Sequence, residues 1–189
     1  MIPNPANLAA LQHNQFALDS NLGTPFQKTA PDPGAREMGF SAELHVDGSG
    51  NARLSRGTGT GVGLWTPYSE GQAVIAYVSG SQTWVASGPF SGCEFAVGKA
   101  ADGRVFAAHI AKQSGSTAGE DFQAYLSKKK LTVWYWNRIP IPSETFYACT
   151  YVFAEFGGGG LTSMTRVNVR VTSMGGSDGS VFEVRKLKG

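Results

Sequence analysis

The sequence predicts a mostly β protein of the α+β type, with a β-sandwich-like core of about ten strands and one or two flanking helices. Three observations predict this fold. The 189-residue chain has 25 glycines and is 41% hydrophobic, a composition typical of short strands joined by glycine turns. Several segments alternate apolar and polar residues with the two-residue period of strands. One segment carries the charge pattern of a helix.

The first 35 residues are predicted to form a partly ordered N-terminal arm, followed by one β-rich domain of catalytic type over residues 36–189. Leucines with one-sided spacing favour a short helix from Ala6 to Leu18 within the arm. Five prolines interrupt the arm, namely Pro3, Pro5, Pro25, Pro31 and Pro33. A chain of this length is expected to form one domain with a substantial core.

The strands of the domain are predicted from apolar runs bounded by turn residues. Residues 120–126 are the best-supported helix prediction. Acidic residues begin the segment, and Lys128, Lys129 and Lys130 follow it, which is the charge distribution that the helix dipole favours. The predicted strands are 38–46, 53–55, 73–78, 83–85, 93–97, 104–110, 131–138, 145–155, 162–173 and 180–186.

Glycine occupies every second position from Gly57 to Gly63, just before Leu64 and Trp65. The segment lacks the Lys-Ser/Thr pair of a phosphate-binding loop. Two interpretations stay open. The segment is either a strand with one bare face, which another backbone or a substrate approaches closely, or a loosely ordered connector.

Composition narrows the function classes. The net charge of +2 calls for neither a nucleic-acid nor a membrane partner, and no stretch approaches the ~20 apolar residues that span a bilayer. The three histidines are scattered and no Cys-x-x-Cys spacing occurs, so we expect no metal and no cofactor. Two cysteines are too few for a disulfide scaffold, and Cys149 is interpreted as structural. The N-terminus has no Sec-type signal pattern, which predicts synthesis in a reducing cytoplasm.

Cys93 and His109 form the strongest candidate site. The turn Ala101-Asp102-Gly103 suits a three-residue hairpin loop, in which His109 lies opposite Phe95. Cys93 is then a diagonal neighbour of His109 on the same face, about 7–8 Å away between Cα atoms. A two-residue loop would place the two side chains on opposite faces.

A thiol beside an imidazole is suited to nucleophilic attack on a carbonyl, and the imidazole is expected to lower the thiol pKa. Ser91 and Gly92 form a tight turn before the cysteine, and backbone N–H groups at such a turn can hold an oxyanion. The alternative interpretation is structural, because cysteine packs as a small hydrophobe and a lone histidine can be a satisfied core residue.

Residues 87–109 resemble the active-site hairpin of the cytotoxic necrotizing factor and Burkholderia lethal factor-like glutamine deamidases. In that group a Leu-Ser-Gly-Cys motif supplies the nucleophile and a histidine on the next strand supplies the base. Here the motif is Phe90-Ser91-Gly92-Cys93, followed by His109. Ser87 lies six residues before the cysteine, where the distantly similar chemotaxis-receptor deamidases have threonine. The resemblance implies a third catalytic element, which in this sequence would be either Ser87 or a backbone carbonyl of the glycine-rich segment around Thr60–Val62.

The resemblance implies a bacterial toxin or effector that converts a glutamine of a target protein to glutamate through a thioester. The implied substrate is a host protein such as a GTPase or a translation factor. We expect a monomer that is made in the bacterial cytoplasm without a Sec signal and is secreted or delivered into a host cell.

Two alternatives stay open. The same cysteine and histidine could serve a transglutaminase or a cysteine protease. A protein of another class, a non-enzymatic β-sandwich that binds a glycan or a lipid, could use an aromatic face. The candidate residues for that face are Trp65, Tyr68, Trp84, Trp134, Tyr135 and Trp136.

Overall fold

A computed structural model describes residues 2–22, 35–58, 63–140, 142–143, 147–173 and 178–188. In chain order its elements are α1 (Pro5–Ala9), β1 (Gln15–Leu18), β2 (Arg36–Glu37), β3 (Phe40–Val46), β4 (Ala52–Arg56), β5 (Gly63–Thr66), β6 (Ala73–Tyr77), β7 (Trp84–Phe90), β8 (Glu94–Lys99), β9 (Val105–Ile110), α2 (Ala118–Lys129), β10 (Thr132–Arg138), β11 (Ala148–Gly157), β12 (Gly160–Val171) and β13 (Gly179–Lys188). The prediction of a mostly β protein with one or two helices is confirmed for this part of the chain.

The strands form a closed barrel and a second sheet. The barrel order is β1-β13-β12-β11-β7-β5-β3-β4, and β4 pairs with β1 to close it, while the sheet order is β10-β8-β9-β6-β2. The expected β-sandwich-like core of about ten strands is therefore corrected to a barrel packed against a sheet. Register shifts along β11, β12 and β13 accompany this curvature, since a bulge bends a strand and increases its twist.

The N-terminal segment contributes to the barrel. Helix α1 ends at Ala9, and Gln15–Leu18 is a strand that pairs with β13 and with β4. The helix predicted from Ala6 to Leu18 is therefore too long. Phe16 and Leu18, two residues apart, both point into the barrel core, which is the spacing of a strand and not of a helix.

Three apolar layers organise the interior. Trp65, Trp84 and Tyr151 belong to the core inside the barrel. Residues of both the barrel and the sheet, including Val152 and Phe95, form a layer between them, which we call the middle layer. Helix α2 covers the other face of the sheet, where Phe122 packs among its residues. Burial on this scale is the main source of fold stability.

The glycine-rich segment is described only at its two ends. Residues 59–62, including Thr60, lie outside the described residues, whereas Gly63 begins β5. The ring of Trp84 lies directly against the Cα atom of Gly63 and occupies the space that a Cβ atom would need. The close approach expected of these glycines is therefore present at Gly63, and the approaching group is an indole ring.

Replacing Gly63 with alanine is expected to lower the free energy of unfolding by about 1–3 kcal/mol, as overpacking of a core does. Trp84 is fully buried, so its ring can shift only by displacing other core side chains. Urea denaturation measures the effect. Gly48→Ala is the matched control, because a Cβ atom there meets nothing within 4 Å. Equal denaturation midpoints for the two variants would contradict the prediction.

Candidate active site

The β8–β9 hairpin has the predicted register. The N–H of Gly103 donates to the carbonyl of Ala100 at 2.9 Å, and Gly103 has a φ of 90°, as a three-residue loop requires. His109 consequently pairs with Phe95 across the hairpin. Cys93, like Phe95, packs in the middle layer, and His109 lies on that same face of the sheet.

His109 is held by a chain of hydrogen bonds that runs through Ser87 to Thr66. Ser87 Oγ lies 2.6 Å from the carbonyl oxygen of Thr66 and 2.9 Å from His109 Nδ1. A carbonyl oxygen only accepts, so the serine hydroxyl donates to Thr66 and accepts from Nδ1–H. The neutral imidazole therefore carries its proton on Nδ1 and a lone pair on Nε2. Among the described residues, Nε2 has no hydrogen-bond partner.

The imidazole lies between aromatic rings in a fully buried position. Phe90 stacks on it with ring centroids 4.1 Å apart and an angle of 15° between the planes. Tyr68 presents its edge at 5.4 Å. Burial disfavours the charged form and lowers the pKa of His109 to about 3. His109 is therefore neutral across the physiological pH range.

The turn that carries Cys93 is fixed at two points. The carbonyl of Cys93 accepts the N–H of Ile139 at 2.9 Å, and the carbonyl of Gly92 accepts Arg138 Nε at 3.0 Å. Gly92 has a φ of 103°, a conformation that favours glycine. Cys93 is 7% exposed, so only a small part of the residue contacts solvent.

The thiol of Cys93 does not have the lowered pKa expected from a neighbouring imidazole. Burial raises the pKa of Cys93, whereas the backbone N–H groups of Ser91 and Lys112 and the charge of Arg138 act in the opposite direction. Since His109 Nε2 has no hydrogen-bond partner in the described residues, the thiol and the imidazole are not hydrogen-bonded to each other. The structure therefore contains a neutral thiol near a neutral imidazole, with no preformed ion pair.

We expect the alkylation rate of Cys93 by iodoacetamide to rise about tenfold per pH unit from pH 7 towards pH 9, because only the thiolate reacts. Peptide mapping by mass spectrometry measures this rate under reducing conditions. Cys149 is the internal control, since burial raises its pKa to about 12 and it should react more slowly throughout. A rate for Cys93 that reaches a plateau below pH 7 would show a preformed thiolate and contradict this reading.

Thr66 and Arg138 escaped the sequence analysis, and Tyr68 was named there only as a candidate for an aromatic binding face. Thr66 belongs to β5, which pairs in parallel with β7 and places Thr66 beside Ser87. Tyr68 follows β5, and Arg138 ends β10. Each lies on or just after a strand that is distant in sequence from the Cys93 hairpin, so no local spacing in the sequence predicts its position. Of the two proposed third elements, Ser87 contacts His109, and Thr60 is not among the described residues.

The aromatic residues proposed to line a glycan- or lipid-binding face do not form one face. Trp65 and Trp84 are fully buried inside the barrel. A register shift between Val133 and Tyr135 interrupts the alternation of side chains along β10. Trp134 therefore packs against the middle layer, whereas Trp136 contacts Phe122 on the opposite face of the sheet.

No protein-family model matches the chain, and no curated protein matches it significantly. The described part of the chain brings together no group of three or more histidine, cysteine, aspartate or glutamate side chains that could hold a metal ion. None of the described helices is long and apolar enough to cross a membrane.

Proposed function

We propose that the protein is a cysteine hydrolase of the bacterial toxin or effector type, which deamidates a glutamine side chain of a target protein. The observation that carries the proposal is the hydrogen-bond chain from His109 through Ser87 to the Thr66 carbonyl. This chain presents an unprotonated Nε2 on the face of the sheet that also carries Cys93. A general base needs that tautomer to take a proton from a thiol.

In the first half of the proposed reaction, Cys93 Sγ attacks the carboxamide carbon while His109 Nε2 takes the thiol proton. The C–S bond forms and the carbonyl oxygen becomes an oxyanion, held by backbone N–H groups near Gly92 and Cys93. The C–N bond then breaks, and His109 gives its proton to the leaving nitrogen. Ammonia departs and a thioester remains.

In the second half, His109 Nε2 takes a proton from water as the water oxygen attacks the thioester carbon. The C–S bond breaks, the proton returns to the sulfur, and the target protein leaves with a glutamate. Ser87 accepts from Nδ1–H throughout, which fixes the ring and stabilises the imidazolium as it forms, as the third member of a catalytic triad does.

The pKa values of Cys93 and His109 determine whether proton transfer precedes nucleophilic attack or accompanies it. Because the pKa of the thiol is raised and that of His109 is lowered, proton transfer between them is uphill in the resting protein. We infer that the transfer is coupled to attack on the carboxamide, as it is in serine hydrolases, and does not precede it. The imidazolium and the negatively charged tetrahedral intermediate then stabilise each other at short range.

Burial favours deamidation over proteolysis or transglutamination. Cys93 is 7% exposed and lies between a barrel and a sheet. A glutamine side chain is long and narrow enough to reach such a sulfur, whereas a backbone amide of a folded substrate would bring bulky flanking residues with it. Transglutamination additionally needs an amine to reach the thioester before water does.

On this proposal the substrate is a host protein, such as a GTPase or a translation factor, and the protein acts after secretion or delivery into a host cell.

Incubation with a eukaryotic cell lysate in ¹⁸O-labelled water tests the proposal. Hydrolysis of the thioester incorporates one oxygen of water into the new carboxylate, so mass spectrometry separates enzymatic glutamate from pre-existing glutamate. We expect labelled glutamate at one or a few glutamine positions, increasing with time and protein concentration. Labelling no greater than in lysate incubated without the protein would overturn the proposal.

A further inference from the structure

Tyr68 is a partly buried tyrosine that packs beside the candidate catalytic histidine. Its ring meets the His109 ring edge-on at 5.4 Å and an angle of 68°. Tyr68 also packs against the middle layer, to which Cys93 belongs. The Tyr68 side chain therefore lies beside the imidazole and against the layer that contains Cys93.

The phenol hydrogen of Tyr68 is available to an incoming acceptor. Gln113 Nε2 donates to Tyr68 Oη at 3.2 Å, so the phenol oxygen is the acceptor in that bond. The backbone of Gln113 is held by Ser116, because the Gln113 N–H donates to Ser116 Oγ at 3.2 Å and the Gln113 carbonyl accepts the N–H of Ser116 at 3.0 Å. The described residues provide no acceptor for the Tyr68 O–H.

The protonation state also suits a donor. Burial raises the pKa of Tyr68 above its ordinary value of 10.0. The phenol therefore keeps its hydrogen over the whole pH range in which the neutral imidazole could act as a base. Gln113 donating to the phenol oxygen further polarises the O–H group towards donation.

We propose that Tyr68 is a catalytic residue whose O–H donates a hydrogen bond to the carboxamide oxygen of the substrate as Cys93 attacks. This inference rests on the proposed glutamine deamidation. Cys93 Sγ forms the C–S bond, the carbonyl electron pair moves to oxygen, and Tyr68 and the backbone N–H groups near Gly92 hold the negative charge. The phenol keeps its proton, and the hydrogen bond strengthens as the charge develops, which lowers the activation barrier.

The test is a comparison of Tyr68→Phe with the wild type on the glutamine identified by ¹⁸O labelling. We expect kcat to fall by about 10²–10³-fold, the effect of removing one oxyanion donor, while KM changes by less than about threefold. Gln113→Ala leaves the phenol in place but unoriented and should lower kcat by a smaller factor. Thermal denaturation verifies that both variants are folded.

Tyr77→Phe is the matched control. Tyr77 is also a partly buried tyrosine with a hydrogen-bonded hydroxyl, but its partner is Tyr125 on the helix side of the sheet. Its kcat should equal that of the wild type. An unchanged kcat in Tyr68→Phe, or a change confined to KM, would overturn the role of Tyr68 while leaving deamidation intact. A wild-type protein without deamidase activity would overturn both.

Discussion

Replacing Cys93 with alanine is expected to lower the deamidation rate by about 10⁴-fold or more, because the variant has no atom that can form the thioester. His109→Gln should lower the rate comparably, since glutamine offers no lone pair of suitable basicity in place of Nε2. The two residues act on one proton, so the double variant should be no slower than the slower single variant. The rate of ¹⁸O incorporation at the target glutamine measures each effect.

Cys149→Ala is the matched control for the loss of a thiol. Cys149 belongs to the core inside the barrel, whereas Cys93 belongs to the middle layer. Its removal should reduce stability slightly and leave the deamidation rate unchanged. A Cys93→Ala variant that retains more than a tenth of the wild-type rate would show that this sulfur is not the nucleophile.

The second prediction with a large effect is that the free energy of unfolding falls at acidic pH because His109 is buried. The pKa of His109 is about 3 in the folded protein because the ring is buried, against the ordinary histidine value of 6.5. Above pH 6.5 the His109 imidazole is neutral in both the folded and the unfolded chain, and its contribution to stability is fully present. As the pH falls below 6.5, the unfolded chain gains a proton that the folded chain does not, and stability is lost progressively until about pH 3. The total loss is on the order of 5 kcal/mol.

Urea unfolding of the wild type and of His109→Gln at pH 7, 5 and 4 measures this contribution. Below pH 6.5 the wild type should lose about 1.4 kcal/mol of unfolding free energy per pH unit that His109→Gln does not lose. His45→Gln is the control, because the His45 side chain is 60% exposed. A His109→Gln variant with the same pH dependence as the wild type would show that the buried imidazole is not held neutral.

The part of the candidate site that could be predicted from the sequence is the part determined by local turn chemistry. Ala101-Asp102-Gly103 specifies a three-residue loop, and that loop sets the register that brings Cys93 and His109 onto one face. Helix α2 was likewise predictable, because the acidic residues of its first turn and the lysines of its last turn are local signals.

Contacts between strands distant in sequence could not be predicted. The parallel pairing of β5 with β7 brings the Thr66 carbonyl to Ser87, and no alternation or turn in either strand specifies that neighbour. Closure of the barrel by β1 depends equally on long-range pairing. The raised pKa of Cys93 follows from its burial beneath the surrounding layer, which the spacing of Cys93 and His109 does not reveal.

The most direct test of the proposed chemistry is ¹⁵N NMR of the His109 side chain in the wild type and in Ser87→Ala. The chain has three histidines, so the signals can be assigned by substitution. We expect His109 of the wild type to carry its proton on Nδ1 and a lone pair on Nε2, without titration from pH 8 to about pH 4. Ser87→Ala should lose this preference for one tautomer. A wild-type His109 that is protonated on Nε2 at neutral pH, or that titrates near pH 6.5, would contradict its role as the base for Cys93.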